Sequence, residues 1–392
     1  MSVSKFAVLS NALPPLPSGQ ATVLSRLLQA VSPEKYCLIS NESDAARGDV
    51  RAALPAPYFS LPPETEWTRP NRFGLGRWRQ RANLRWRTHQ RARAIAEIVR
   101  AEGCDTLIAC SGDIMNIPAA QFASRWSGIR LFVYLFDDYV YQWTDPLSRS
   151  FARKAEAMAV NQAAAVITPN EFARDEYQRR YGIEPVLIRN PVPDQSFSEA
   201  IQRDRTASEG VRIVYTGSIY HATADALSNL VQAIARLGRS AIQLHIYSSQ
   251  ETSVLKEFDP DGPLVYHSHV TASEAERTQR DADILFLPLG FNSGIPEVIR
   301  TSAPGKMGEY LASGRPIIAH APPDSFVSWY FRKHDCGIVV DQNNSQVLAD
   351  AIDRLLADDQ LRRRISENAR ARARIDFSLS AAQSKFLNLL NR

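Results

Sequence analysis

Three residue groups in this 392-residue chain have types and spacings that could do chemistry. The first is Ser302-Ala-Pro-Gly305-Lys306-Met-Gly-Glu309. An apolar run, Ile284 to Leu289, precedes it and reads as a buried strand, with a polar loop from Gly290 to Ala303 between them. Pro304 suits the first helical position, where its missing N–H has no partner to lose. Gly314 and Pro316 stop the helix, and Pro316 to His320 reads as the next strand. Ser302, Gly305 and Lys306 thus crowd a helix start, where free N–H groups, the positive dipole end and an ammonium make an anion site. Glu309 lies three residues after Lys306 on the same helix face. A carboxylate cannot bind phosphate, but it accepts hydrogen bonds from a pair of sugar hydroxyls. Together these residues suit a nucleoside diphosphate held through pyrophosphate and ribose.

The second group is acidic. Asp105 to Cys110 reads as a strand followed by Ser111-Gly-Asp113, and Ile129 to Phe136 as a strand ending in Asp137-Asp138-Tyr139. Open α/β sheets bind ligands at the carboxyl ends of their strands. Asp113 or Asp138 could therefore orient or deprotonate a hydroxyl, while N-capping a helix accounts for either as well. Tyr139, Tyr141 and Trp143 follow, as sugar-stacking faces or as core.

The third group is basic. Arg69, Arg72, Arg77, Arg79, Arg81, Arg85, Arg87, Arg91, Arg93 and Arg100 face one acid, Glu97, with Phe73, Leu75, Trp78, Leu84 and Trp86 interleaved. After Arg81 the pattern is that of a long helix. Arginine with tryptophan on a helix fits binding in the plane of an anionic membrane. A solvated face with tryptophans in the core is the structural alternative. Nucleic-acid binding ranks below both, because no recognition motif accompanies the charge.

These groups need elements to hold them. Phe6 to Leu9, a Pro-rich loop through Ser18-Gly19-Gln20 and a helix from about Ala21 to Val31 form a strand–loop–helix unit. Tyr36 to Ser40 is a second strand, and residues 41–71 stay unassigned. A helix from Phe151 to Ala165 leads to the strand Ala165-Val-Ile-Thr. Charged, irregular residues from Asp194 to Gly210 mark a boundary. The pattern then restarts: Val211 to Thr216, the turn Gly217-Ser218, and a helix from Ala224 to Leu237. His267 and His269 have no partner ligands at metal-site spacing, which speaks against a metal site.

The Ser302–Ile318 segment resembles the nucleotide-sugar site of GT-B glycosyltransferases, the glycosyltransferase family 4-like (group 1) type, whose form is roughly Ser-x-Pro-x-Lys-x-x-Glu-Tyr-Leu-Ala-x-Gly-x-Pro-Ile/Val-Ile. Ala282-Asp-Ile-Leu-Phe-Leu-Pro288 and Ala165-Val-Ile-Thr-Pro-Asn170 resemble further strands of that family. The resemblance implies an α/β GT-B fold: two Rossmann-like domains facing across a cleft. Residues 1–193 would bind acceptor, 205–375 nucleotide sugar, and 376–392 would return as a helix to the first domain. By the same resemblance Lys306 and the Ser302–Gly305 backbone hold the diphosphate and Glu309 the ribose. Gly217 and Ser218 lie against the diphosphate, Val270 meets the base, and the loop with Gly19 and Gln20 faces the cleft.

Two departures stand out. Thr301 occupies the place of a second glutamate that touches the donor sugar in many members, and Glu297 is out of register. No basic residue closely follows Gly217; His221 and Arg300 are the candidates, and more of the diphosphate charge falls on Lys306.

The resemblance implies glycosyl transfer from a nucleoside diphosphate sugar to an acceptor hydroxyl, metal-independent and retaining. The donor is a substrate, so no cofactor is expected. Bacterial surface polysaccharide or glycolipid biosynthesis is the expected setting, with a lipid-linked acceptor and the basic helix (Arg77, Trp78, Arg79, Arg81, Arg85, Trp86) on an anionic membrane. A nucleotide-sugar 2-epimerase of the same fold and an inactive membrane scaffold are the alternatives. Totals agree with a globular chain: 44% hydrophobic, 22% charged, net charge +4. No apolar run approaches the about 18 residues of a spanning helix. The N-terminus reads as a strand rather than a signal peptide, and the four scattered cysteines lack metal spacing. A cytoplasmic protein, peripheral on the inner membrane face, is expected.

Overall fold

The computed structural model describes residues 4–16, 18–41, 54–66, 76–197, 210–239, 241–248, 250, 264–268 and 270–392. They belong to two compact units: Met1–Asn190 with Leu379–Arg392, and Pro191–Ser378. Unit 1 alternates strands β1 (Phe6–Leu9), β2 (Tyr36–Ser40), β3 (Tyr58–Ser60), β4 (Thr106–Cys110), β5 (Arg130–Tyr134), β6 (Ala165–Thr168) and β7 (Val186–Leu187) with helices. The helices are α1 (Gly19–Leu28), α2 (Gly76–Ala101), α3 (Asn116–Ser127), α4 (Pro146–Gln162) and α5 (Glu171–Tyr181). Unit 2 has strands β8 (Val211–Thr216), β9 (Ile242–Tyr247), β10 (Leu264–His267), β11 (Ile284–Pro288), β12 (Ile317–His320) and β13 (Ile338–Val340). Its helices are α6 (Ala224–Leu237), α7 (Ala272–Arg280), α8 (Pro296–Thr301), α9 (Gly305–Ser313), α10 (Phe326–His334), α11 (Ser345–Ala357) and α12 (Asp359–Asp376). A last helix, α13 (Leu379–Leu390), belongs to unit 1.

Among the described residues each unit holds one parallel sheet, ordered β3-β2-β1-β4-β5-β6-β7 and β10-β9-β8-β11-β12-β13. In both, the first strand is central and the order reverses beside it, which is where such sheets bind ligands. Parallel strands covered on both faces must be apolar throughout, and β1, β2 and β4 are wholly buried. Alternation splits them: Ala7 and Leu9 pack in a cluster with Ala92, Ile95 and Val99 of α2. Phe6 and Val8 face the other way, packing with Leu24 of α1 and Phe386 of α13. In unit 2, Ile213, Leu244 and Phe286 pack with Leu227 and Leu230 of α6 and Leu348 of α11.

Several boundaries differ from the sequence-based ones. The strand β3 lies within the unassigned 41–71 stretch, short and at the sheet edge. Helix α2 begins at Gly76, before Arg81, and α1 begins at Gly19 with the Ser18 side chain capping Ala21 N. Helix α4 begins at Pro146, ahead of Phe151: Asp145 caps it and accepts from Ser148 N at 2.8 Å. The Gly290–Ala303 stretch is not all loop but contains α8, with Pro296 in its first turn. Of the basic stretch, residues 69–75 lie outside the described residues, as do Ser249 and His269.

Candidate functional site

Unit 2 brings the Gly217 turn and Lys306 together. Gly217, after β8, has φ 149°, and an ideal Cβ there would lie 2.2 Å from Lys306 Nζ and 2.9 Å from its Cε. Only glycine leaves that space and takes that backbone conformation readily. The ammonium sits 4.9 Å from the centroid of the Tyr215 ring. Lys306 has no ion pair among the described residues, and burial pushes its pKa below the ordinary lysine range. A desolvated cation without a counter-ion is costly, and an arriving anion relieves the cost.

Helix α9 is fixed from the other side. Tyr310 Oη accepts from Thr216 N at 2.9 Å, and Gln279 Nε2 donates to Thr216 Oγ1 at 3.2 Å and to Glu309 Oε2 at 3.4 Å. One polar chain thus ties α7 and α9 to the carboxyl end of β8 and sets Glu309 near the Lys306 turn. Pro304 is the N-cap rather than the first helical residue, so the helix opens at Gly305 and Lys306. Ser302 ends α8, donating its N–H to Ile299 O at 3.3 Å. Gly290 N donates to Ala222 O at 2.7 Å, and Asp225 Oδ2 accepts from Phe291 N at 2.9 Å and Asn292 N at 2.8 Å. Asp225, Tyr310 and Gln279 are site-building residues missed in the sequence. Asp225, an acid in the first turn of the helix after a glycine turn, was the one with a readable signal.

Other donor-side expectations fare differently. Thr301 is buried and its hydroxyl donates to Glu297 O at 3.2 Å within its own helix. His221 is exposed, its ring edge-on to Tyr220 at 5.4 Å, with no contact to Lys306 among the described residues. Ser218 accepts the Tyr215 hydroxyl on its carbonyl at 2.8 Å. Val270 is half-buried, just before Thr271, which caps α7. His267 Nε2 lies 3.0 Å from His245 Nδ1, under Tyr247. Burial and the Arg212 charge lower His245 to about 4 and lower His267 as well. Among the described residues no cluster of three or more His, Cys, Asp or Glu is placed to hold a metal ion.

In unit 1, Asp113 and Asp138, read from the sequence as hydroxyl-orienting groups or as N-caps, both bond nearby backbone N–H groups. Asp113 Oδ1 accepts from Met115 N at 2.7 Å, Asn116 N at 3.0 Å and the buried Arg91 Nη1 at 2.6 Å. Its second oxygen meets Asn41 Nδ2 at 3.3 Å. Asp138 is buried, accepts from Val140 N and Tyr141 N, and pairs with Arg180. Both caps are local side-chain-to-backbone bonds of the kind aspartate makes at turns. Gln20 Nε2 donates to Ser10 Oγ at 2.7 Å, and its Oε1 lies 3.2 Å from where a Cβ on Gly112 would stand. Asn11 Oδ1 lies 2.8 Å from that point, buried and without a hydrogen-bond partner among the described residues. Gly19 opens α1 in free space. Tyr139 is core, and Trp143 packs against the same cluster.

Arg180 also reaches Glu156 and Glu176. Glu156 accepts from Tyr177 and Tyr181 hydroxyls, and burial with the Asp138 charge pushes its pKa up to about 7. The folded chain therefore holds this proton more tightly than the unfolded one, and stability falls as pH rises from the ordinary carboxylate range through about 7. Glu156→Gln should remove that slope. Its unfolding free energy, read by chemical denaturation, should gain on the wild type between about pH 5 and 8, by on the order of 2–3 kcal/mol at the upper end. A difference that does not change with pH would assign the titration elsewhere.

Helix α2 is buried only from Thr88 onward. Trp78 is 60% and Trp86 54% exposed, so neither is core. Arg77, Arg81 and Arg85 are exposed and Arg79 half-buried. No described helix is long and apolar enough to cross a membrane.

Comparison with known proteins agrees with this architecture. Residues 210–358 match the family model for glycosyl transferases group 1, and residues 19–191 that for the glycosyl transferase 4-like domain. The chain is 26% identical over 335 residues to alpha-D-kanosaminyltransferase of Streptomyces kanamyceticus, covering 79% of this chain and 82% of that one. A glycosyltransferase from Rickettsia africae ESF-5 superimposes with a TM-score of 0.71 at 15% identity, covering 100% of this chain and 98% of that one. HepE of Anabaena in complex with UDP-glucose gives 0.68 at 16% identity, covering 99% of each. With the two models spanning most of its length, this chain belongs to the group 1, family 4-like glycosyltransferases, enzymes of GT-B fold that transfer sugar from nucleotide-sugar donors.

Proposed function

We propose that unit 2 binds a UDP- or GDP-sugar through Lys306 and that unit 1 presents the acceptor hydroxyl. The observation that carries this is the partly buried Lys306 ammonium, without an ion pair among the described residues, against the Gly217 turn. Lys306 and the N–H groups at Gly305 and Lys306 would stabilise charge developing on the leaving diphosphate. Gly217, Ser218 and Ser302 complete that cradle, Glu309 accepts from the ribose hydroxyls, and Val270 lies on the base side. The acceptor oxygen bonds the anomeric carbon, the bond from that carbon to the diphosphate oxygen breaks, and the leaving oxygen takes the electron pair. The acceptor proton passes to the leaving diphosphate, because Asp113 and Asp138 are already engaged. On this reading transfer is retaining and needs no metal.

The acceptor is lipid-linked, the setting bacterial surface polysaccharide or glycolipid assembly, and the protein peripheral on the cytoplasmic membrane face. The exposed arginines and tryptophans of α2 support that position. The test is incubation with UDP- and GDP-sugars, with and without membrane extract. Donor-dependent labelling of the lipid-extractable fraction is expected. Conversion of the free donor without acceptor would instead mean epimerase chemistry, and nucleotide binding without turnover an inactive scaffold.

A further inference from the structure

Helix α2 sorts its arginines onto two sides. Arg87 and Arg91 are tied into unit 1 by Glu66, Glu64 and Asp113. Arg81, Arg85 and Arg93 are exposed and make no ion pair among the described residues. With His89 they repeat every four residues, which stacks them in one row along the helix at about 6 Å spacing. The row lines an open groove of about 560 Å³ between Trp78 and Trp86, and no carboxylate among the described residues lines it; Glu97 is the next position of the row. The His89 ring is held against Phe122, with centroids 4.5 Å apart.

Like charges four residues apart on a helix repel, so this row is unfavourable until an anion fills it. Guanidinium forks suit phosphate monoesters, which offer several oxygens and more than one charge. Half-exposed indoles beside them gain most from an interfacial layer, apolar on one side and wet on the other. A free phosphate or a nucleic acid would satisfy the arginines and leave that gain unused.

We propose that Arg81, Arg85 and Arg93, with Trp78 and Trp86, form a groove for the phosphomonoester head group of a membrane lipid. The inference rests on the membrane-facing part of the proposed function and is independent of the donor site.

The test is vesicle co-sedimentation of the full chain. Phosphatidylcholine vesicles would carry about one-third phosphatidic acid or, at equal charge, phosphatidylglycerol. Phosphatidic acid should be preferred. The triple variant Arg81→Gln, Arg85→Gln, Arg93→Gln should lose about a hundredfold in affinity, about fivefold per guanidinium. Trp78→Ala, which changes no charge, should also weaken binding. A control carrying Arg153→Gln, Lys154→Gln and Arg363→Gln should lose less than about fivefold. Equal losses in both triples, or no preference between the lipids, would reduce the groove to diffuse charge and overturn the proposal. Displacement by inorganic pyrophosphate at the affinity it shows alone would assign a free-phosphate site, and tighter retention on a DNA oligonucleotide a nucleic-acid surface. Either overturns it. All four substituted side chains of the groove lie exposed on the helix surface, so melting curves should be unchanged. UDP-induced thermal shift in the same variants separates the two readings: its loss in the wild type would sink the donor site and leave the groove standing.

Discussion

Lys306→Ala should weaken nucleoside diphosphate binding by about 10²–10³-fold and leave nucleoside binding within about twofold. The asymmetry follows from what the ammonium can touch. Its carbon stem crosses the Gly217 turn and its head has no counter-ion among the described residues. A diphosphate supplies one, and a charge-assisted bond in a partly water-excluded site is stronger than one in open solvent. The ordinary flexibility of a surface lysine cannot explain the arrangement, because burial already pushes the pKa of Lys306 down. Folding therefore disfavours its charge, and the bound anion restores it. Diphosphate affinity should accordingly decline as pH rises through that lowered pKa, and binding should take up protons there. Calorimetry in buffers of different ionisation enthalpy reads the uptake directly. Equal losses of UDP and uridine affinity in the variant would remove the phosphate role.

Gly217→Ala should reproduce most of that loss without touching the lysine. The added methyl would stand 2.2 Å from Nζ, 2.9 Å from Cε and 3.0 Å from Tyr215 Oη. A lysine tip can swing away, so the fold survives and the site does not. The φ of 149° adds strain for any residue with a Cβ, on the order of 1–3 kcal/mol of stability. Diphosphate affinity should fall by at least about tenfold. The double variant with Lys306→Ala should cost much less than the two single losses combined, since the methyl has then nothing left to displace. Additive losses would mean that Gly217 acts on the ligand by itself. The two variants together test whether turn and helix make one site.

Much of this was readable before any coordinates. The spacing from Ser302 to Glu309 put an ammonium and a carboxylate on one helix turn, because helical geometry places residues three apart on one face. Strand positions were legible for the same reason in β8 and β9, whose apolar runs end in glycine or serine turns. Helix α8 was lost in a polar stretch because six residues carry too little periodicity to read. The aspartates at the strand ends read equally as acids, bases or N-caps. A residue type specifies what a group can do, and its neighbours decide what it does. Arg91 reaches Asp113 from 22 positions away and Arg180 reaches Asp138 from 42 away, and no local pattern contains those encounters.

The basic helix shows the same division. Its eight arginines were countable in the sequence, but their division into paired and unpaired sets depends on which helix face meets Glu64, Glu66 and Asp113. By itself, then, the sequence determined the chemistry available at Lys306 and Glu309 and the α/β order that carries them, because both are short-range periodicities. The tertiary structure decided that Gly217 makes room for Lys306, that Tyr310 and Gln279 anchor the helix beside it, and that Asp113 and Asp138 are already engaged. Each of these depends on contacts between segments far apart in the chain, whose distances are set by packing rather than by spacing.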